Sequence, residues 1–239
     1  MRRRLAWLGA EAAAFLAALW AAPRAGSVWG WLFPEVARPA YTQDSWFALL
    51  GAHLALSVGA AAIAVLIGLP TGLAATRPGG RRLMPVVDAA FSLAQAVPPV
   101  AAIALSLPLL GFGAAPTLLA LVLYAVLPVL RATVAGLESV PGDALDAARG
   151  LGLSPWQRLR EVELPLAWPV LLAGWRVALT VSVATTAVGA VAGARCLGTP
   201  IIIGLSTANP AYVLQGAVFT AWLALLLDRG IGLLSRPER

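Results

Sequence analysis

Six stretches of this sequence, at about residues 5–22, 53–75, 85–109, 114–136, 166–192 and 211–234, are apolar over nearly the length a helix needs to cross a bilayer. A hydrocarbon core about 30 Å thick is spanned by roughly 20 apolar residues in a helix. None of the stretches alternates apolar and polar residues as a barrel strand does, so the α-helix is the expected way to satisfy the backbone in lipid. Composition agrees, because 12% charged residues and a mean hydropathy of +0.83 lie outside the range of soluble proteins. The expectation is an all-α, polytopic membrane protein with about six transmembrane helices.

The links between these stretches are short except at about 23–52 and 137–165, which puts the two long links on opposite sides of the membrane. Positive charge near membrane ends stays in the cytoplasm. Arg2, Arg3, Arg4, Arg77, Arg81, Arg82, Arg149, Arg158, Arg160, Arg229, Arg236 and Arg239 fall on one side, against Arg24, Arg38 and Arg195 on the other. Both termini and the 137–165 link are therefore expected in the cytoplasm. This asymmetry accounts for the formal net charge of +6 without a nucleic-acid partner. The first stretch carries a second reading, since MRRR, an apolar run and WAAPRAG also fit a secretory signal with a small-residue cleavage site. Its length favours a retained helix; cleavage would leave five spans.

The inventory of reactive side chains is narrow. All 17 basic residues are arginine, which removes a P-loop lysine, a Schiff-base lysine and a Ser-Lys pair. One cysteine, Cys196, and one histidine, His53, leave no zinc site or internal disulfide. His53 has no G-x-S-x-G nucleophile turn to serve, and its place at the outer end of the second span suits an interfacial residue. Cys196 follows Arg195 in an outward link, where an inert thiol and one of lowered pKa are both open. No catalytic or metal-binding set is expected.

The link at 137–165 cannot cross the membrane. From Glu138 to Glu163 it holds eight charged residues, each costing about 2.5–3.5 kcal/mol at the centre of a membrane helix. Its signals are those of two short helices about a hinge. Pro141, Gly142 and Asp143 suit a helix start, and Gly150 and Gly152 a stop. Ser154, Pro155 and Gln157 form a second start with a capping box, and Pro165 is expected to end that helix. Ala144, Ala147 or Ala148, and Leu151 make one narrow apolar stripe, and Trp156, Leu159 and Val162 another. Arg158 with Glu161, and Arg160 with Glu163, are spaced for surface pairs. A loop resting on the membrane surface and a docking element both fit these features.

The same residues resemble the cytoplasmic coupling loop of ABC importer permeases, whose pattern is Glu-Ala-Ala, three residues, Gly, nine residues, Ile, one residue, Leu-Pro. Asp146, Ala147 and Ala148 match its start, Gly152 and Val162 follow at the right intervals, and Leu164-Pro165 closes it. Asp for Glu and Val for Ile keep charge and shape. The resemblance implies a short helix inserting into a groove on an ATP-binding cassette subunit. ATP would be bound there, leaving this chain a non-catalytic subunit without a cofactor of its own.

From about His53 to Asp228, HLALSVGAAAIAVLIGLPTGLAATR, QAVPPVAAIALSLPLLGFG, LYAVLPVLRATVAGL and LLLDRG resemble the osmoprotectant group of these permeases, which import glycine betaine, carnitine or choline. Amino-acid and methionine importers share the loop and remain a rival class, as does a membrane scaffold that docks an ATPase without transport. The implied domains are an N-terminal helix and outward loop at 1–50 and a permease transmembrane domain at 51–235. The implied partners are the ATPase, an extracytoplasmic substrate-binding protein, a second permease chain and membrane lipid. The implied location is the bacterial cytoplasmic (inner) membrane. One departure stands out: where the group has Gly-Ala-Gly-Gly-Leu-Gly, this chain has Gly193, Ala194, Arg195, Cys196, Leu197 and Gly198, which puts the outer gate in question. The loop before residue 50 carries Trp29, Trp31, Phe33, Tyr41 and Trp46, either a platform for a partner or quaternary ammonium or an interfacial aromatic belt.

Within the spans, Pro98 and Pro99 should kink the third helix beside Gln95. The Gln95 amide either lines a pathway or bonds to freed carbonyls of a neighbour. Asp88, Arg131 and Arg176 lie toward cytoplasmic ends, so Asp88 either pairs with one of the arginines near an inner gate or all three snorkel to the headgroups.

Overall fold

The computed structural model describes residues 2–234; Arg236, Arg239 and the side chain of Arg2 lie outside the described residues. Eleven α-helices follow one another: α1 (Arg2–Ala21), α2 (Gly26–Leu32), α3 (Trp46–Ala75), α4 (Met84–Ala96), α5 (Pro99–Leu110), α6 (Ala114–Glu138), α7 (Gly142–Gly150), α8 (Pro155–Arg158), α9 (Leu164–Val188), α10 (Thr199–Ser206) and α11 (Pro210–Leu234). Five helical segments are long and apolar enough to cross a membrane, at Arg3–Arg24, Trp46–Ala75, Ala114–Glu138, Pro155–Ala192 and Pro210–Leu233. α4 with α5 makes a sixth if the pair counts as one.

That pair corrects the expected kinked third helix, because the chain turns by 93° between its two halves. Pro98 and Pro99 supply no backbone N–H, and a residue before proline is pushed out of the helical region. Val97 is extended at ψ 125°, and Pro99 then opens α5, where a missing N–H costs nothing. One boundary also differs, since α3 starts at Trp46 rather than near residue 53, and two short helices, α2 and α10, lie in the links between spans.

The centre of the bundle is α3, α6 and α9, brought together by small residues. A Cβ at Gly72 would lie 2.6 Å from the Cβ of Thr133, and one at Gly174 would lie 2.2 Å from that of Ala132. Such close backbone approach is the main source of helix association in lipid, where apolar side chains gain little by leaving the solvent. α11 packs beside α9. α1 lies along α11, with Phe15 edge-on to Phe219 and Trp222, and Glu11 bonded to Arg229.

Ion pairs identify one end of the bundle: Arg77–Glu163 joins the 76–83 turn to the 139–163 segment and Arg81–Glu138 joins it to the end of α6, with the C-terminal part of α11 on the same side. At the opposite end, Asn209 donates to the Arg38 carbonyl and Gln215 to that of Pro39, which fastens the 33–45 loop to α11.

Candidate functional site

The 139–165 segment is built as two helices about a left-handed joint. α7 stops in a Schellman arrangement: the Gly152 N–H donates to the Arg149 carbonyl at 3.0 Å and the Leu153 N–H to the Ala148 carbonyl at 3.1 Å. Gly152 sits at φ +75°, the region where a side chain is strained. Gly150 is simply the last helical residue, so the expected double-glycine stop reduces to Gly152. The capping box forms as expected, with the Ser154 N–H on Gln157 Oε1 at 2.9 Å and the Gln157 N–H on Ser154 Oγ at 3.4 Å.

The stripes divide differently from their helical spacing. Ala148 turns inward and is buried, and Leu145 and Leu159 pack on Leu137, Val140, Ala167 and Leu171. Asp146, Ala147, Leu151 and Trp156 face outward, Leu151 with 81% and Trp156 with 66% of its surface free. The result is a knob with an apolar crown, anchored from beneath. Among the described residues Asp146 pairs with the exposed Arg149, i to i+3, a pair of the kind that adds a few tenths of a kcal/mol.

Pro165 does not end the second helix. After α8 the chain makes a π-turn at Leu159–Glu163 and runs on into α9, with Val162 half-buried inside the turn and Leu164-Pro165 opening α9. Proline is tolerated in a first turn. The wider turn also re-aims the charges, correcting the expected surface pairs. Glu163 is buried and accepts from Arg158 at 3.1 Å, five residues back, and from Arg77 at 2.7 Å. Sequence reasoning missed this cluster because Arg77 is 86 residues away and the π-turn breaks the i to i+3 rule.

Deeper in the bundle the arginines also find acids. Arg131 grips Asp88 bidentately, Nε to Oδ1 at 2.7 Å and Nη2 to Oδ2 at 2.9 Å, and reaches Ser92 as well. Arg176 pairs instead with Asp228 of α11. Gln95 donates to the Tyr124 carbonyl at 2.8 Å. That carbonyl is the one Pro128, four residues on within α6, leaves without its helical donor, so the Gln95 amide repairs a proline gap.

A family model described as "Binding-protein-dependent transport system inner membrane component" matches residues 64–237. The chain belongs to this family. Among relatives of this permease, an osmoprotectant import permease protein of Salmonella typhimurium is 39% identical over 176 residues, covering 74% of this chain and 75% of that protein. A glycine betaine/carnitine/choline transport system permease protein of Bacillus subtilis is 34% identical over 178 residues, 74% of this chain and 81% of that one. A methionine ABC transporter solved in inward-facing conformations superposes with a TM-score of 0.70 at 24% identity, over 82% of this chain and 98% of the other, which speaks to the fold alone.

At the opposite end of the permease, the stretch that departs from the glycine pattern is accommodated without backbone strain. Gly193, at φ +80°, keeps the position that needs glycine, and among the described residues Ala208 is the one non-glycine with positive φ. Arg195 therefore adds a side chain, not a distortion, and uses it to hold Asp44 at 2.7 Å. Asp44 also accepts from the Tyr41 hydroxyl at 2.6 Å, and that bond, with Arg195 second, holds its carboxyl below the usual value. Cys196 is buried with its thiol on the Thr186 carbonyl, and burial pushes its pKa up, which selects the inert reading.

His53 is wholly buried rather than interfacial. Its Nε2 donates to the Val183 carbonyl at 3.0 Å, and its Nδ1 accepts from the Leu197 N–H at 3.2 Å, tying α3 and α9 to the 193–198 loop. The loop aromatics divide as well. Tyr41 and Trp46 are buried edge-to-face against Tyr212 and Phe219, Trp29 and Phe33 are half-buried, and Trp31 is exposed. The aromatic surface of this loop is therefore smaller than its composition.

Proposed function

We propose that this permease forms, with a second permease chain, the membrane pathway of an importer for a small quaternary-ammonium osmoprotectant such as glycine betaine, choline or carnitine. The observation that carries the substrate class is the identity of 34–39% to permeases with those names over three quarters of the chain. Their names belong to those proteins; identity at that level over the whole helical core supports the same cargo class here.

The knob at 142–158 supplies the reading of mechanism. Asp146, Ala147 and Leu151 stand out from the bundle while Ala148, Leu145 and Leu159 anchor it, which suits insertion into a groove on a separate ATP-binding subunit. ATP would favour one gate state through contacts that differ between states. The arginine-rich end then faces the cytoplasm with both termini, and the 33–45 loop faces an external binding protein.

The test is gentle purification of the tagged chain from its native membrane, identification of co-purifying subunits by mass spectrometry, and reconstitution in liposomes. Expected are an ATP-binding subunit, a binding protein, and ATP-driven uptake of labelled glycine betaine or choline but not methionine. Methionine uptake alone would overturn the substrate class; absence of any ATPase partner would overturn the importer.

A further inference from the structure

Between α1, α9 and α11, at the arginine-rich end, lies a cavity of about 370 Å³. Arg4, Trp7 and Glu11 of α1, Arg176 of α9, and Arg229 and Leu233 of α11 line it. Two of its three guanidinium groups already have carboxylates, Arg176 with Asp228 and Arg229 with Glu11. No ion pair among the described residues includes Arg4. Among the described residues three cations thus meet two anions, and one positive charge is left over.

The walls carry a second signal. Trp7 is 76% exposed, and Leu8 and Leu233 line the same cavity at the level of the arginines. A tryptophan beside arginines at a helix end belongs at the boundary between headgroups and acyl chains. A soluble anion would use only the charged half of such a site. A lipid would use both.

We propose that this cavity binds the singly charged phosphodiester headgroup of an anionic phospholipid in the cytoplasmic leaflet, with the acyl chains left against Trp7 and Leu8. One phosphodiester closes the charge balance, and guanidinium groups present paired N–H donors that match its oxygens. Basic pockets between transmembrane helices on the cytoplasmic side are suited to such headgroups. The leaflet assignment rests on the orientation proposed above; the headgroup chemistry does not.

The experiment places the purified transporter in nanodiscs of phosphatidylcholine with a minor share of phosphatidylglycerol and counts retained lipid by native mass spectrometry. Arg4→Gln and Arg3→Gln each remove one charge from the same helix end, but only Arg4 lines the cavity. Arg4→Gln is expected to weaken phosphatidylglycerol retention about tenfold, with Arg3→Gln like the wild type. Equal retention in the two variants would overturn the proposal. In a second arm, inorganic phosphate is added to delipidated protein. Thermal stabilisation by phosphate alone, lost in Arg4→Gln, would assign the site to a soluble anion and overturn the lipid; no shift agrees with it. Neither arm reads transport or ATP hydrolysis, so failure here is distinct from failure of the importer reading.

Discussion

At position 152 one backbone angle decides the residue. Gly152 holds φ at +75°, yet a Cβ there would meet nothing within 4 Å, so the need for glycine is conformational and not steric. An L-residue in that region costs about 1–2 kcal/mol, more when β-branched, and asparagine tolerates it best. Gly152→Val should insert and accumulate normally while uptake falls about tenfold or more, and Gly152→Asn should keep most of it. Uptake per inserted chain in liposomes checks both; equal loss in the two variants would remove the backbone angle from the explanation.

The Asp44 tether at the other end is a residue-scale prediction about pH. A carboxyl whose folded pKa is lowered contributes stability that is complete above its unfolded value, about 3.9, and is lost as pH falls through the lower folded value. The Tyr41 phenol is pushed up, chiefly by burial and then by its bond to Asp44, so it keeps its proton in mild alkali. Protection of the 33–45 loop from hydrogen exchange should therefore be flat from about pH 5 to about pH 9 and fall only in stronger acid. In Asp44→Asn it should be lower throughout that range. A loss of protection in the wild type between about pH 5 and 7 would contradict the assignment.

At the scale of elements, what the sequence made legible was local. Apolar runs located the spans, and the capping box and the Gly152 stop appeared where short-range spacing put them, because each depends on residues within one turn. The broken third span was half legible: two prolines announced an interruption, but its 93° angle depends on what the two halves pack against. The Gln95 bond was open between two roles until α4 was seen beside α6. It yields a double-mutant prediction. Gln95→Ala leaves the Tyr124 carbonyl without a donor and should cost about 1–3 kcal/mol. Pro128→Ala restores the N–H that α6 lacks, so the double variant should recover part of that loss. Denaturation midpoints of the four proteins form the cycle; strictly additive effects would show that Gln95 and Pro128 do not share that carbonyl.

Across the whole molecule, the coupling role proposed for the knob at 142–158 requires that its movement reach the helix bundle, and Glu163 joins the two. Its carboxylate, nearly excluded from solvent, binds Arg158 at the base of the knob and Arg77 in the turn that follows α3. Removing one partner of a buried ionic cluster leaves the others uncompensated, commonly at a cost of several kcal/mol. Nothing in the sequence pairs residue 163 with residue 77, since the contact exists only once α3 and α9 have both packed on α6 through their small residues. Glu163→Gln keeps the size and one acceptor oxygen, so the fold and the outward face of the knob should persist, and with them ATPase binding. The expected outcome is a transporter that still hydrolyses ATP but moves fewer substrate molecules per ATP, measured as the ratio of uptake to phosphate release in the same liposomes. An unchanged ratio would show that coupling bypasses this cluster. A complex that no longer assembles would show that Glu163 serves the shape of the docking knob, not the transmission of its movement.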